Sequence, residues 1–219
     1  MNEERFITKQ ISKYATDKKL IEFNDKMRLA PLEYYGHIHA TGDKNAQGKN
    51  VTSLIGIRLL DYSAGKGENI VCVDANITPD ELMYVFSKLN QGVDKFEFSQ
   101  DKIFGDPDKD GFCDVTRLKI IRASVDKIGK PRNYPWFIQI ENGKGKKAQN
   151  GTSGGTYMLP GSYKEEKKAF ININDLDFYR LLSRIRSYIT VWEFTYGPQR
   201  IRQAKEELYK SMKENSNVK

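Results

Sequence analysis

The chain has 219 residues, of which 38% are hydrophobic and 11% aromatic. This excludes a wholly disordered polymer and supplies large side chains for one sizeable core or two small ones. No apolar run approaches the ~20 residues that cross a membrane. Met1-Asn2-Glu3-Glu4-Arg5 opens on charge rather than on a secretory signal, so a cytoplasmic protein with no membrane partner is expected. The formal net charge is +7, but it is unevenly placed: residues 1–115 carry 15 Lys/Arg against 19 Asp/Glu, and residues 116–219 carry 21 against 10. A basic half of this kind attracts polyanions.

In chain order, Phe6, Ile7, Ile11, Tyr14 and Ala15 fall at helical spacing and predict a short helix in an N-terminal arm over residues 1–31. Segments rich in Ile, Val and aromatics, parted by turn residues, predict strands over 32–40, 51–62, 70–75, 95–99, 115–124, 136–140 and 169–173. Thr78-Pro79-Asp80-Glu81 is a capping box with Pro in the first helical position. Leu82, Val85, Phe86 and Leu89 then share one face, and Gly92 ends the helix. Asn174-Asp175-Leu176-Asp177 opens a second helix, with Phe178, Leu181, Leu182, Ile185, Tyr188, Ile189 and Trp192 on its apolar face. A last helix is predicted to start at Pro198, carrying Ile201, Ala204, Leu208 and Met212, with a frayed tail behind it.

The two stronger helices read as copies. Asn76-Ile77-Thr78-Pro79-Asp80-Glu81-Leu82 lies on Asn172-Ile173-Asn174-Asp175-Leu176-Asp177-Phe178 at an offset of 96 residues, each run preceded by a predicted strand. The expected fold is therefore α+β with antiparallel sheet. A first strand–helix module spans 32–92, a basic second one 93–196, and a C-terminal helix and tail 197–219. Together with Lys144-Gly145-Lys146-Lys147-Ala148, this arrangement resembles the Whirly family of single-stranded-DNA-binding proteins and the related positive-cofactor-four type coactivators. Those proteins build modules of about four strands and a helix, and Whirly chains carry two modules and a Lys-Gly-Lys-Ala-type motif. Here the motif holds an additional Lys and lies in the second half, and the resemblance spans about residues 32–195 at the level of topology. It implies binding of single strands, DNA rather than RNA.

Residues 130–168 hold eight Lys/Arg against three Glu, with aromatics between them. Single strands need this mixture, cations for the backbone and π-faces for unstacked bases, while Gly lets a backbone approach phosphate closely. The expected contacts are Lys130, Arg132, Tyr134, Lys144, Lys146, Lys147, Tyr157, Tyr163 and Lys164, extended by Arg180 and Arg184 on the second helix. Trp136, at the head of an apolar strand, is expected in the core. The Gly-rich stretch lacks the spacing and hydroxyl of a nucleotide-binding P-loop. Asp106-Pro107-Asp108-Lys109-Asp110-Gly111 imitates a calcium loop, but Arg117 stands where the twelfth-position Glu belongs. His37 and His39, read on one strand face, lack further zinc ligands at usable spacing. No catalytic residue, metal or cofactor is therefore expected. The partner is single-stranded nucleic acid, with self-association of the chain as a further expectation. The alternative is a protein-interaction module, such as an inhibitor or scaffold of a phage or mobile element. A divalent-metal nuclease built on the Asp106–Asp114 loop is the third reading.

Overall fold

The computed structural model describes residues 7–216 apart from 35, 46, 66, 150 and 152–154, with side chains as far as 213. Among the described residues the chain opens with strands, not with a helix. β1 (Gln10–Ala15) and β2 (Lys19–Lys26) form an antiparallel hairpin, with Tyr14 opposite Ile21 and Ser12 opposite Phe23. The spacing of Ile11 and Tyr14 fits a helix. Strand alternation in β2, however, buries Ile21 and Phe23, and pairing with that strand draws the β-branched and aromatic residues of β1 into the sheet. Residues 1–6, the remainder of the expected arm, lie outside the described residues.

The strand expected over 32–40 is likewise absent. A single 3-10 turn occupies Leu32–Tyr34, and one isolated bridge joins Leu29 to His39. A small hairpin follows, β3 (Thr41–Lys44) with β4 (Asn50–Thr52). Then β5 (Leu54–Asp61) and β6 (Val71–Ile77) complete a four-stranded antiparallel sheet in the order β1-β2-β5-β6. Helix α1 (Pro79–Asn90) leaves β6 through the expected capping box. The Thr78 side chain accepts from the Glu81 amide (3.2 Å), and Glu81 accepts from the Thr78 amide (2.9 Å).

The second half repeats the plan. β7 (Lys95–Phe104), β8 (Cys113–Ala123) and β9 (Trp136–Gly145) form a meander. A two-stranded excursion, β10 (Lys147–Gln149) and β11 (Thr156–Met158), interrupts it before β12 (Lys164–Ile173). The sheet order is β12-β9-β8-β7, so each helix follows an edge strand of a four-stranded antiparallel sheet. The hairpin insertion sits between the second and third strands in one half and between the third and fourth in the other. Helix α2 (Asp175–Ser216) runs on without the break expected before Pro198, which lies inside it. Its buried stripe is Phe178, Leu181, Leu182, Ile185, Ile189 and Trp192.

Both sheets and both helices share one hydrophobic core, in which Trp136 is fully buried against Phe178 at 4.6 Å between ring centroids. The sheets meet edge to face. The Asn142 side chain on β9 takes the place of a neighbouring strand for Asp74 on β6, accepting from its amide (2.9 Å) and donating to its carbonyl (2.8 Å). On β12 the repeat-equivalent position is Phe170, and its carbonyl accepts from Lys19 Nζ of the first sheet (2.8 Å). Each closing strand thus offers its free edge to side chains of the opposite sheet, which pair exposed backbone groups that would otherwise be left to solvent.

Candidate nucleic-acid interface

The fold separates the eleven residues expected to contact nucleic acid into two groups. Lys144 is the next-to-last residue of β9 and Lys146 and Lys147 follow the strand, whereas Lys130, Arg132 and Tyr134 precede its start. The ten residues of β9 place roughly 33 Å between the groups. Arg180 and Arg184 belong with the second group, because α2 starts beside Trp136, where Asp175 accepts from Trp136 Nε1 (2.7 Å). Both Arg are exposed, and Arg180 is paired with Asp177 at 3.2 Å. In the loop between β8 and β9, Lys130, Arg132 and Tyr134 are exposed, and the Lys130 amide donates to Asp126 Oδ1 (2.9 Å).

At the other end the individual roles differ. The Lys144 ammonium is hydrogen-bonded to Asp114 (2.7 Å), which raises its pKa and matches its charge internally. Lys146 and Lys164 stand over the Phe112 ring, at 5.1 and 4.1 Å from its centroid. Tyr163 is half-buried, and one ring face is already taken by the Arg117 guanidinium at 4.0 Å. Its hydroxyl is buried without a partner, and burial, reinforced by Glu141, pushes the phenol up to about 12. Tyr157 is 47% exposed, with no ring or cation stacked on it among the described residues.

The glycines of Gly143-Lys144-Gly145 serve packing within the protein. A Cβ on Gly143 would lie 2.1 Å from the Lys164 carbonyl, and one on Gly145 would lie 2.9 Å from both Met158 Sδ and Val115 Cγ2. The close approach expected at phosphate is made here by β12 and β11.

A feature absent from the sequence reading lies beside this group. A cleft of about 620 Å³ opens between the end of the first sheet and β11. Phe104 (49% exposed) and Tyr157 present ring surface to it, with Leu54, Val115 and Met158 behind them. Lys102 lines it and donates to the Asn76 carbonyl (3.2 Å), while two further ammonium groups are held on uncharged oxygens next to its lining, Lys26 on Asn76 Oδ1 (2.9 Å) and Lys147 on the carbonyl of Gly105, which follows Phe104 (2.5 Å). Burial lowers the Lys102 pKa, against the pull of Glu81. Gly56 clears the lane for Lys26, whose Cε would lie 2.9 Å from a Cβ there. Asp101, the carboxylate lining the cleft, is paired with Arg117 at 3.2 Å.

No protein-family model, curated protein or solved structure matches this chain.

Two groupings with catalytic appearance lead elsewhere. In the acidic loop, Asp108 Oδ1 accepts from the amides of Asp110 (3.0 Å) and Phe112 (2.9 Å), a self-capped turn that depresses its pKa. Among the described residues no three His, Cys, Asp or Glu side chains are placed to hold a metal ion together. His37 and His39 are not on a common strand face. His37 stacks on Tyr34, and His39 stacks on Trp192 (4.7 Å) between Ser53 Oγ (2.8 Å) and Glu193 Oε1 (3.1 Å). This hydroxyl–imidazole–carboxylate chain has the order of a hydrolase triad, but Ser53 is only 1% exposed and its Oγ accepts from the Arg28 amide. The would-be nucleophile is closed to solvent, and the chain of bonds ties the β4–β5 link to α2. No helix among the described residues is long and apolar enough to cross a membrane.

Proposed function

We propose that the protein binds single-stranded nucleic acid without catalysis, with DNA preferred over RNA only through the resemblance of its sequence to the Whirly family. The cleft carries this reading: two exposed aromatic rings, Phe104 and Tyr157, lie beside three ammonium groups held on neutral oxygens. Cations without carboxylate partners keep their charge for phosphates, and each unstacked base on a ring contributes ~1–3 kcal/mol. The volume fits a nucleobase. Bases in a duplex stay paired and stacked, so single strands are preferred. Lys146 and Lys164 around Phe112 extend the same surface.

The test is a titration with single-stranded and duplex DNA and RNA at two salt concentrations. Single strands are expected to bind tighter, with affinity falling as salt rises. Replacing Lys102 and Lys147 together by Ala should flatten the log–log salt slope by about 1.4, two contacts of a single strand. Tyr157→Ala should weaken binding and leave the slope unchanged. A parent without affinity below ~100 μM at low salt, weaker than ordinary non-specific binding, overturns the reading in favour of a protein partner.

A further inference from the structure

A second pocket, of about 380 Å³, lies where the stretch after β2, the β3–β4 hairpin and α2 converge. Arg28 and Arg200 line it, with Leu29, Leu32 and Val51 as its apolar wall. Arg200 donates through Nε (3.1 Å) and Nη2 (2.7 Å) to the Ala30 carbonyl, and Arg28 Nη1 donates to the Met27 carbonyl (3.1 Å). Both guanidinium groups are therefore oriented by backbone oxygens while their charge remains unmatched, and the remaining N–H groups have no protein acceptor among the described residues. Two planar forks opening on one pocket suit a phosphate group, which each engages through parallel, charge-assisted hydrogen bonds. Glu33 is the one carboxylate lining the pocket, and it is exposed.

The pocket and the aromatic cleft occupy the same end of the first sheet. Lys26 faces Leu54 across β2 and β5, and Leu54 lines the cleft. Arg28 follows Lys26 by two residues, at most about 7 Å of chain. Lys147, Lys102, Lys26, Arg28 and Arg200 thus form a row of cations that begins in the second module, crosses the end of the first sheet and finishes on α2. We propose that the Arg28–Arg200 pocket seats a backbone phosphate of the strand whose base enters the cleft, so that the first half of the chain, acidic in total, guides the nucleic acid. This rests on the single-strand reading and adds a direction to it.

The test compares oligonucleotides of about 4 and about 16 nucleotides, the range one small module covers. Arg28→Gln with Arg200→Gln should leave the short strand's affinity unchanged and weaken the long strand at least 10-fold, with a salt slope flatter by about 0.7, the one phosphate the pocket seats. Glu33→Gln, which touches neither arginine's backbone contact, should tighten the long strand alone. Because Arg200 also braces Ala30, Arg28→Gln by itself is measured alongside, and should give a smaller loss of the same length dependence. Long-strand binding equal to the parent's in the double variant, with Lys102 and Lys147 still required, overturns the pocket and leaves the cleft standing. A parent that binds neither length overturns both.

Discussion

Asp175 joins the first turn of α2 to the second sheet through a single carboxylate. It accepts from Trp136 Nε1 (2.7 Å) and from Arg122 Nε (3.2 Å) and Nη2 (3.0 Å), while Arg122 also donates to the Val93 carbonyl. Burial works to raise the Asp175 pKa, and these hydrogen bonds outweigh it, so the carboxyl is held below its ordinary range. Arg122 is the buried partner, and Asp175→Ala leaves its charge without a carboxylate and the indole N–H without an acceptor. The expected loss is about 1–3 kcal/mol in urea unfolding. Because the folded-state pKa is the lower one, the stabilisation is complete above the ordinary carboxylate range and is lost as pH falls through the folded value. Asp175→Asn should therefore blunt the acid limb of a stability-versus-pH curve. An unchanged limb would show that other carboxylates govern it. Tyr163 gives the opposite expectation, because its hydroxyl is buried with no partner. Tyr163→Phe should be neutral, or more stable by up to about 1 kcal/mol, and should bind oligonucleotides as the parent does. A clear loss of affinity would return Tyr163 to the binding surface.

Among the elements, the capped helices and the β-branched strands were legible in the sequence, because both signals are local. Thr78 and Glu81 meet within one turn, and Ile138 and Ile140 alternate with Phe137 and Gln139 whatever lies beside them. β1 was not legible. Its apolar residues satisfy a helical period, and only the facing Ile21 and Phe23 decide for a strand. The site divides in the same way. The Lys144–Lys147 run is visible as composition, whereas Lys26, Lys102, Arg28 and Arg200 are single cations that only the assembled sheets bring into one row. Pro198 misled because the start of a helix is where proline is most at home. Helical residues on both sides carry α2 through it, at the cost of the hydrogen bond to the Phe194 carbonyl. Pro198→Ala restores that donor and should stabilise by up to about 3 kcal/mol, read as a higher Tm. A lower Tm would mean that the helix needs Pro198 to bring Arg200 to the Ala30 carbonyl.

For the whole molecule, the decisive contacts are those in which one sheet completes the other. Asn142 substitutes for a missing strand at Asp74, and Lys19 does so at Phe170. Asn142→Ala should cost about 0.5–1.5 kcal/mol, the net worth of hydrogen bonds whose Asp74 partners water can take over. Unfolding should stay a single transition, because both sheets share one core; two separate transitions would contradict that sharing. Divided at Gly92, the chain would yield two half-proteins, each with an uncovered strand edge and half an apolar interior. Each half's nearest substitute for its lost neighbour is another copy of itself, meeting it edge to face about a twofold axis. The intact chain holds that pairing within one polypeptide, where no dilution can undo it.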